Sequence, residues 1–148
     1  MSKLADNIIT MQISIGQKAT RTITLTAEHV RTFAALSGDY NPLHFDESFV
    51  SKTKFKRLVV QGGLTTGLLH ALVAMDMPGP GTVFLSQNWK FTAPVFIGDT
   101  IHSEITISEK SDGKKPELGN VTEHVEIINQ HGEIVIVCDH LLVVKKKS

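Results

Sequence analysis

The sequence is poor in cysteine and has no excess of either charge, and each shortage excludes a class of protein. Its 148 residues contain one cysteine, Cys138, so neither an intrachain disulfide nor a cysteine metal cluster can form. Cys138 lies in the apolar run EIVIVCD, where we expect it to act as a small hydrophobe. The 15 basic and 15 acidic residues cancel, and such a chain lacks the electrostatic footprint of a nucleic-acid-binding protein. Lysines 145–147 are the one cationic cluster, interpreted as a solvated end rather than an anion site.

Long apolar runs are also missing. No window approaches the roughly 18 uninterrupted apolar residues of a membrane-spanning helix, and the opening MSKLADNIIT lacks the basic patch and apolar stretch of a secretory signal. We therefore expect a cytoplasmic protein without a membrane partner. Hydrophobic residues make up 41% of the chain, which is typical of a globular protein. Because no repeat or low-complexity linker is visible, residues 1–148 are predicted to form one domain.

The first half of the chain is predicted to hold an extended opening and two helices. Apolar residues alternate with polar ones between residues 11 and 25, as in a strand. The segment AEHVRTFAALSGD carries an apolar stripe at helical spacing, with Thr26 as its N-cap and Gly38 at its end. A second helix, from Leu64 to Met75, is apolar nearly all round, which indicates that it is buried. The sequence Pro-Gly-Pro-Gly at 78–81 ends it.

The second half is predicted to form four long strands. TVFLSQNWKFTAPV, DTIHSEITISEK, LGNVTEHVEIINQ and EIVIVCDHLLVVK each contain stretches in which apolar and polar residues alternate. Turn residues at 98–99 and 129–132 separate consecutive strands and favour antiparallel meander pairing. A hydrophobic helix followed by such a sheet predicts an α+β fold in which the sheet wraps the helix.

Candidate chemistry first appears in SGDYNPLHFD, a loop that follows the first helix. Asp39 and His44 can act as a general acid–base pair, since a carboxyl and an imidazole can each hold or release a proton near neutral pH. Asn41-Pro42 turns and stiffens the chain between them, which allows the two side chains to converge. An Asx-turn with a hydrogen-bonded histidine has the same residues, so a purely structural role stays open.

A second candidate feature is Gln61-Gly62-Gly63 at the start of the buried helix. Unpaired backbone N–H groups at a helix N-terminus carry partial positive charge. Glycine lets a substrate carbonyl approach them, so the position can stabilise a developing oxyanion. The alternative is that Gly62, Gly63 and Gly67 only allow the sheet to pack closely on the helix.

Together these segments resemble a known family. SGDYNPLHFD, then VVQGGL, then MPGPGTVFLSQNWKFTAPVFIGDTI are similar to the MaoC-like (R)-specific enoyl-CoA hydratases and the related 3-hydroxyacyl-thioester dehydratases. The similarity runs from about Arg31 to about Ile101, and the combination of D-x-N-P-x-H with P-x-F-x-G-D is far more specific than either motif alone. The resemblance implies the single hot-dog fold, a long central helix wrapped by an antiparallel sheet, usually found as a homodimer.

The resemblance also implies a reaction and a site. Water would add to a trans-2-enoyl thioester of CoA or of acyl carrier protein to give the (R)-3-hydroxyacyl thioester. No metal or redox cofactor is implied, and CoA is part of the substrate. By their positions in the motifs, Asp39 and His44 correspond to the catalytic pair, Asn41 to the residue that orients the loop, and the Gly62 N–H to the oxyanion donor. Which of Asp39 and His44 makes which proton transfer is left open.

Two positions depart from the family's usual pattern. Gln61 stands where a histidine is common; a backbone donor at Gly62 survives that change, but the side-chain role of the usual histidine does not carry over. His70 lies about two helical turns beyond Gly62 and so on a similar face. It is a hydrogen-bonded core or interface histidine, a third catalytic group, or a residue that narrows the acyl pocket and alters the chain-length preference. Gln61 and His70 are kept as candidate substrate-binding residues.

Two other functions are compatible with the fold. A hot-dog thioesterase would hydrolyse the thioester with a carboxylate, but such enzymes resemble the fold more than the D-x-N-P-x-H loop. A non-catalytic partner subunit or acyl-thioester-binding module would need neither Asp39 nor His44, and both are present. The hydratase is therefore favoured, with the acyl chain length and the carrier left open.

Overall fold

Regular structure begins with a strand and a capped helix. The computed structural model describes residues 13–146. Strand β1 spans Lys18–Thr24 and helix α1 spans Ala27–Ser37. The hydroxyl of Thr26 accepts a hydrogen bond from the His29 N–H at 3.3 Å, which caps the first turn of α1. Gly38 ends the helix at a φ of 81°, a left-handed conformation suited to glycine, so both predicted boundaries are confirmed.

The predicted extended opening is only partly a strand. Ile13 is buried in the core, whereas Ile15 is 64% exposed and lies in a turn with Gly16. Strand pairing starts at Lys18. Residues 11 and 12 of the prediction lie outside the described residues. The alternation thus indicated that a strand is present but not where it begins.

The central helix buries one face from its first turn, while Gly63 and Gly67 on the other face are exposed. A short helix, α2, spans Glu47–Val50, and the central helix, α3, spans Gly62–Ala71. It passes directly into a π-helical segment, Leu72–Asp76. Its buried side chains are Leu64, Thr65, Leu69, Leu72 and Val73. The predicted helix over 64–75 is confirmed, although it begins at the glycines and changes its hydrogen-bond pattern near its end.

The four predicted strands are present and join β1 in one antiparallel sheet. Strand β2 spans Val83–Phe91, β3 Thr100–Asp112, β4 Leu118–Asn129 and β5 Ile134–Lys145. The order is β1-β3-β4-β5-β2, which makes β1 and β2 the edges. Inward-facing side chains of the strands join those of α3 in a single core, including Leu69, Leu72, Ile105, Val125, Ile127 and Leu142. The expected α+β architecture, a helix packed on an antiparallel sheet, is confirmed.

The predicted pairing across Gly98-Asp99 is wrong. A meander would put β2 beside β3, but that side of β3 is occupied by β1, and β2 pairs with β5 at the opposite edge. The Gly98 N–H donates to the Leu25 carbonyl at 2.7 Å, and the Leu25 N–H donates to the Asp99 carbonyl at 2.8 Å. The turn therefore joins β3 to the end of β1 instead of closing a hairpin. The other predicted turn, at 129–132, does connect neighbouring strands, β4 and β5.

Cys138 behaves as the small hydrophobe that the sequence predicts. It is 2% exposed on the inner face of β5. Burial raises the pKa of its thiol to about 11, so the thiol stays protonated at neutral pH and is a poor nucleophile. Within residues 13–146, none of the helices has the length and apolar character needed to cross a bilayer.

Candidate active site

The loop after α1 is organised by its own side chains. The Asn41 N–H donates to Oδ1 of Asp39 at 3.3 Å, and the Leu43 N–H donates to Oδ1 of Asn41 at 3.0 Å. These two Asx-turns follow one another and fold the chain back across Pro42. Asn41 is thus bonded within the loop on both sides, and its role in orienting the catalytic loop stays a prediction.

The loop brings Asp39 and His44 together. Oδ2 of Asp39 lies 3.7 Å from Nε2 of His44. The other ring nitrogen, Nδ1, lies 2.7 Å from the carbonyl oxygen of Val59. Because a carbonyl only accepts, Nδ1 carries a hydrogen, and Nε2 is the ring nitrogen that faces Asp39. The imidazole is 8% exposed, while the Asp39 side chain is 43% exposed, so the pair lies at the border between the protein interior and solvent.

Gly62 opens α3 where backbone approach is close. Within residues 13–146, the N–H groups of Gly62 and Gly63 have no hydrogen-bond acceptor, as expected for the first turn of a helix. A Cβ at Gly62 would lie 2.9 Å from the ring of Phe91, and one at Gly63 would lie 2.8 Å from the ring of Phe33. Close packing therefore explains both glycines, while the N–H groups stay free to donate.

A cavity of about 520 Å³ lies against this helix start. Its lining combines Gly62 and Thr65 of α3 with the loop residues Leu43, Phe55 and Val59, the segment 91–96 and Ile136 of β5. His44 directly follows Leu43 and bonds to Val59, so it lies behind the cavity wall, although neither His44 nor Asp39 belongs to the lining. The cavity is mainly apolar, with Lys54 as the charged residue of its lining.

Gln61 connects α3 to α1. It is fully buried, and its Nε2 donates to the carbonyl oxygen of Val30 at 3.0 Å. The side chain therefore packs away from bulk solvent and holds the two helices together. Its amide oxygen has no partner within the described residues.

His70 lies outside the lining of this cavity. Its Nε2 is 3.0 Å from Nε2 of Gln87, and its ring stacks on Phe84 at 4.6 Å between centroids. Gln87 also lies 3.3 Å from Nε2 of His140, which is fully buried. His70 is thus the outer member of a polar chain between α3 and the sheet, and its predicted effect on the acyl pocket stays a prediction.

The inner end of that polar chain is a buried pair that sequence reasoning missed. Oε2 of Glu123 lies 3.9 Å from Nδ1 of His140, and neither side chain is exposed. Burial raises the pKa of Glu123 to about 8 and lowers the pKa of His140 to about 4, so both groups are neutral at pH 7. Both residues occupy inward-facing positions in the alternating pattern of their strands. That pattern was the sequence signal that they are buried. Between residues 13 and 146 there is no group of three or more His, Cys, Asp or Glu side chains that could hold a metal ion.

A central helix packed on an antiparallel sheet, with a carboxylate–imidazole loop beside the helix start, defines a hot-dog domain. The MaoC-like domain model matches residues 10–129, and the chain belongs to this family. It is similar to an (R)-specific enoyl-CoA hydratase of Aeromonas caviae, with 38% identity over 69% of this chain and 76% of the relative. It is also similar to a mitochondrial 3-hydroxyacyl-[acyl-carrier-protein] dehydratase of Arabidopsis thaliana, with 27% identity over 84% and 73%.

A solved structure gives the same assignment of fold. The (R)-hydratase of Aeromonas caviae, described as involved in PHA biosynthesis, superposes with a TM-score of 0.81 and 33% identity. The match covers 90% of this chain and 98% of that one. The hot-dog fold and the family membership implied by the sequence motifs are confirmed.

Proposed function

We propose that the chain catalyses the reversible hydration of trans-2-enoyl thioesters to (R)-3-hydroxyacyl thioesters. The observation that carries this proposal is the approach of Asp39 to His44, 3.7 Å apart, beside a cavity lined by Gly62 at the start of α3. A carboxylate and an imidazole at this separation can hold one water molecule between them and exchange protons with it. The hydratase and dehydratase names of the relatives support the same reaction.

The start of α3 supplies the electrostatic part of the mechanism. When water attacks C3 of the enoyl group, the electron pair of the double bond moves towards the thioester oxygen. In our proposal the Gly62 N–H donates to that oxygen, and the positive end of the helix dipole stabilises its negative charge. Phe91 closes on Gly62 and keeps this point apolar, which strengthens the interaction.

Asp39 and His44 supply the proton transfers. One water loses a proton to the pair as its oxygen bonds to C3, and the pair returns a proton to C2. The hydrogen and the hydroxyl of one water thus end on neighbouring carbons, and dehydration follows the same path in reverse. The Val59 carbonyl fixes the orientation of the imidazole, so its Nε2 faces the reacting water. Asn41 holds the loop that carries both groups.

The substrate in this proposal is a thioester of CoA or of acyl carrier protein, and no metal or redox cofactor takes part. Both carriers present a phosphate-bearing arm. Lys54 lines the cavity, and Lys52, Lys56 and Arg57 lie near it in sequence on an exposed stretch, which suits an anionic arm at the cavity mouth. Gln61 and His70 stay candidate substrate-binding residues, His70 through the length of acyl chain that fits. A cytoplasmic location is part of the same proposal.

We also propose that the protein acts as a homodimer formed through the edge strand β2. Val83, Leu85 and Phe91 of this strand are 54%, 55% and 59% exposed, and Met75 is 64% exposed. An unpaired edge with exposed large apolar side chains is unfavourable in a monomer. Antiparallel pairing of β2 with its copy would satisfy the edge and cover these side chains.

A single assay separates hydratase from the alternatives. Crotonyl-CoA is incubated with the protein, and the enone absorbance and the release of free thiol are followed in parallel. Loss of enone without thiol, with chiral chromatography identifying (R)-3-hydroxybutyryl-CoA, is the expected result. Thiol release would instead indicate a thioesterase. If neither enone loss nor thiol release occurs with enoyl-CoA substrates of four to about twelve carbons, the protein is a binding module and the proposal is overturned.

A further inference from the structure

Two buried polar atoms near the cavity lack hydrogen-bond partners within residues 13–146. They are the hydroxyl oxygen of Thr65 and the side-chain amide oxygen of Gln61. Thr65 is 1% exposed and Gln61 is 0% exposed. Buried polar atoms in folded proteins are almost always hydrogen-bonded, so these two are candidates for binding a group from outside the chain.

The two side chains lie on adjoining faces of α3. At about 100° per residue, Thr65 stands about 40° from Gln61 and about 60° from Gly62 around the helix axis. Residues four apart are neighbours on a helix surface. Thr65 also lines the cavity that contains Gly62. Thr65 is therefore the residue that connects the free oxygen of Gln61 with the proposed oxyanion position.

The next threonine shows what an ordinary helical hydroxyl does. The hydroxyl of Thr66 donates to the carbonyl oxygen of Gly63 at 3.2 Å. Thr65 makes no such bond to its own helix. Threonine in a helix populates two χ1 rotamers, so the Thr65 hydroxyl can turn between the Gln61 side and the cavity side.

The chemistry of the two atoms selects the group that they bind. Nε2 of Gln61 donates to Val30, so the unpaired atom is the amide oxygen, which only accepts. The Thr65 hydroxyl can donate. An acceptor beside a donor matches a group that is both, which is a hydroxyl or a water; a carbonyl or an alkyl group would leave the Gln61 oxygen unpaired. In the proposed reaction that group is the water that adds to C3, or the 3-hydroxyl that it becomes.

The spacing along the helix agrees with this choice. Thr65 lies about 4.5 Å beyond Gly62 along the axis, at about 1.5 Å per residue, and its side chain tilts back towards the helix start. The thioester carbon and C3 are separated by two carbon–carbon bonds. With the thioester oxygen at the Gly62 N–H, the oxygen on C3 is therefore within reach of Thr65.

We propose that the Thr65 hydroxyl, together with the Gln61 amide oxygen, binds the oxygen attached to C3 of the substrate. This inference rests on the proposed hydratase function and adds a substrate-binding residue to it. Thr65 holds the C3 oxygen at the side of the acyl chain that faces α3, and so selects hydroxyacyl over saturated acyl thioesters.

The test compares two ligands that differ only in the C3 hydroxyl. Thr65→Val removes the hydroxyl and keeps the shape, Thr65→Ser keeps the hydroxyl, and Thr66→Val is the matched control. The measurements are kcat/KM for dehydration of (R)-3-hydroxybutyryl-CoA and the inhibition constant of butyryl-CoA against crotonyl-CoA. We expect Thr65→Val to lower kcat/KM about tenfold or more. Butyryl-CoA inhibition should stay within about twofold, and Thr65→Ser and Thr66→Val should resemble the wild type.

Each other outcome overturns a defined part of the inference. Equal values of kcat/KM for Thr65→Val and Thr66→Val would overturn the proposed role of the Thr65 hydroxyl and leave the proposed function untouched. An equal loss of butyryl-CoA binding in Thr65→Val would show a packing role and would also overturn it. A wild-type protein inactive on both crotonyl-CoA and (R)-3-hydroxybutyryl-CoA would overturn the proposed function, and this inference with it. If Thr65→Val fails to fold by circular dichroism, Thr65→Ala against Thr65→Ser decides the question by the same measurements.

Discussion

Nδ1 of His44 lies 2.7 Å from the carbonyl oxygen of Val59, a residue that itself lines the cavity. Because this bond occupies one ring nitrogen, the other is directed to Asp39. The Val59 N–H in turn donates to the Leu43 carbonyl at 3.1 Å, so the segment before α3 is joined to the loop at two points. The orientation of the imidazole is thus determined by backbone atoms, which do not depend on a neighbouring side chain.

Loss of either member of the Asp39–His44 pair is expected to stop hydration without unfolding the protein. Asp39→Asn and His44→Ala should each lower kcat on crotonyl-CoA by about a hundredfold or more, the range that general acid–base catalysis contributes. Asp46→Asn is the matched control, because Asp46 lies in the same loop and only caps α2, through a 2.9 Å bond from the Phe49 N–H that asparagine can also accept. A wild-type rate in either test variant, with a native circular dichroism spectrum, would refute the assignment of that residue.

Alanine at Gly62 of α3 is expected to lower activity, whereas alanine at Gly67 of the same helix is expected to raise stability. A Cβ at Gly62 would meet Phe91 at 2.9 Å, and since Phe91 is 59% exposed its ring can move, at the expense of the cavity. Gly62→Ala should therefore have a larger effect on the activation free energy derived from kcat/KM than on the free energy of unfolding. At Gly67 nothing lies within 4 Å of the new Cβ, so Gly67→Ala should stabilise the helix by roughly 0.5–1 kcal/mol and leave activity unchanged. Urea unfolding and crotonyl-CoA kinetics measure both; equal activity in the two variants would contradict the role of Gly62.

The Glu123–His140 pair predicts a stability that falls with rising pH above pH 6.5. Burial raises the pKa of Glu123 from 4.5 to about 8 and lowers the pKa of His140 from 6.5 to about 4. His140 is neutral in the folded chain throughout this range and becomes neutral in the unfolded chain as pH rises above 6.5, so it offsets only a small part of the effect of Glu123, which keeps its proton only when folded. The folded state thus binds more protons, and stability falls as pH rises to 8, by at most about 1.4 kcal/mol per pH unit.

Glu123→Gln is expected to remove the contribution of Glu123 to this pH dependence, because glutamine is neutral throughout; the smaller contribution of His124, whose pKa is raised by its hydrogen bond to Asp139, should remain. The urea midpoints of the wild type and the variant are compared at pH 6.5 and pH 8, with Glu109→Gln, on an exposed position, as the control. Below pH 6.5 the two groups act in opposite directions, since His140 loses stability as pH falls and Glu123 gains it. A slope in Glu123→Gln as steep as in the wild type would show that another group is responsible.

The proposed dimer predicts a sharp effect of one charge on β2. Leu85 is 55% exposed on the edge strand, and Leu85→Lys should shift the protein from dimer to monomer in light scattering after size exclusion. Ile15→Lys is a control of similar exposure away from β2 and should leave the mass unchanged. A wild-type protein that is monomeric at micromolar concentration would refute the interface directly.

Local features of the fold could be predicted, because their causes lie within a few residues. Thr26 caps the start of α1, and Gly38 ends the helix in a left-handed conformation. Both roles could be predicted from the residue type. The alternation of apolar and polar residues likewise predicted which face of β3 is buried, because it is also a local pattern. The position of β2 could not be predicted, since its pairing with β5 joins residues about fifty positions apart and no local pattern specifies it.

Some features of the candidate site could likewise be predicted from the sequence, and others could not. Asp39 and His44 are five residues apart around a proline, so their convergence could be expected from the loop alone. The role proposed for Thr65 could not, because it depends on Gln61 being held by Val30, 31 positions earlier. Glu123 was also missed, since alternation indicates which face a residue occupies but not that a carboxyl stays neutral there.

The bond from Gln61 to Val30 joins the helix that ends before Asp39 to the helix that begins at Gly62. The proposed proton-transfer groups and the proposed oxyanion donor are thereby connected to each other, and among the described residues the inner strands β3 and β4 contribute no candidate catalytic side chain. The opposite wall of the cavity is formed by the segment 91–96 and Ile136, where substitutions can change the space for an acyl chain without touching the bond between the two helices. In the proposed mechanism, the chain-length preference can therefore change while the reacting groups stay the same.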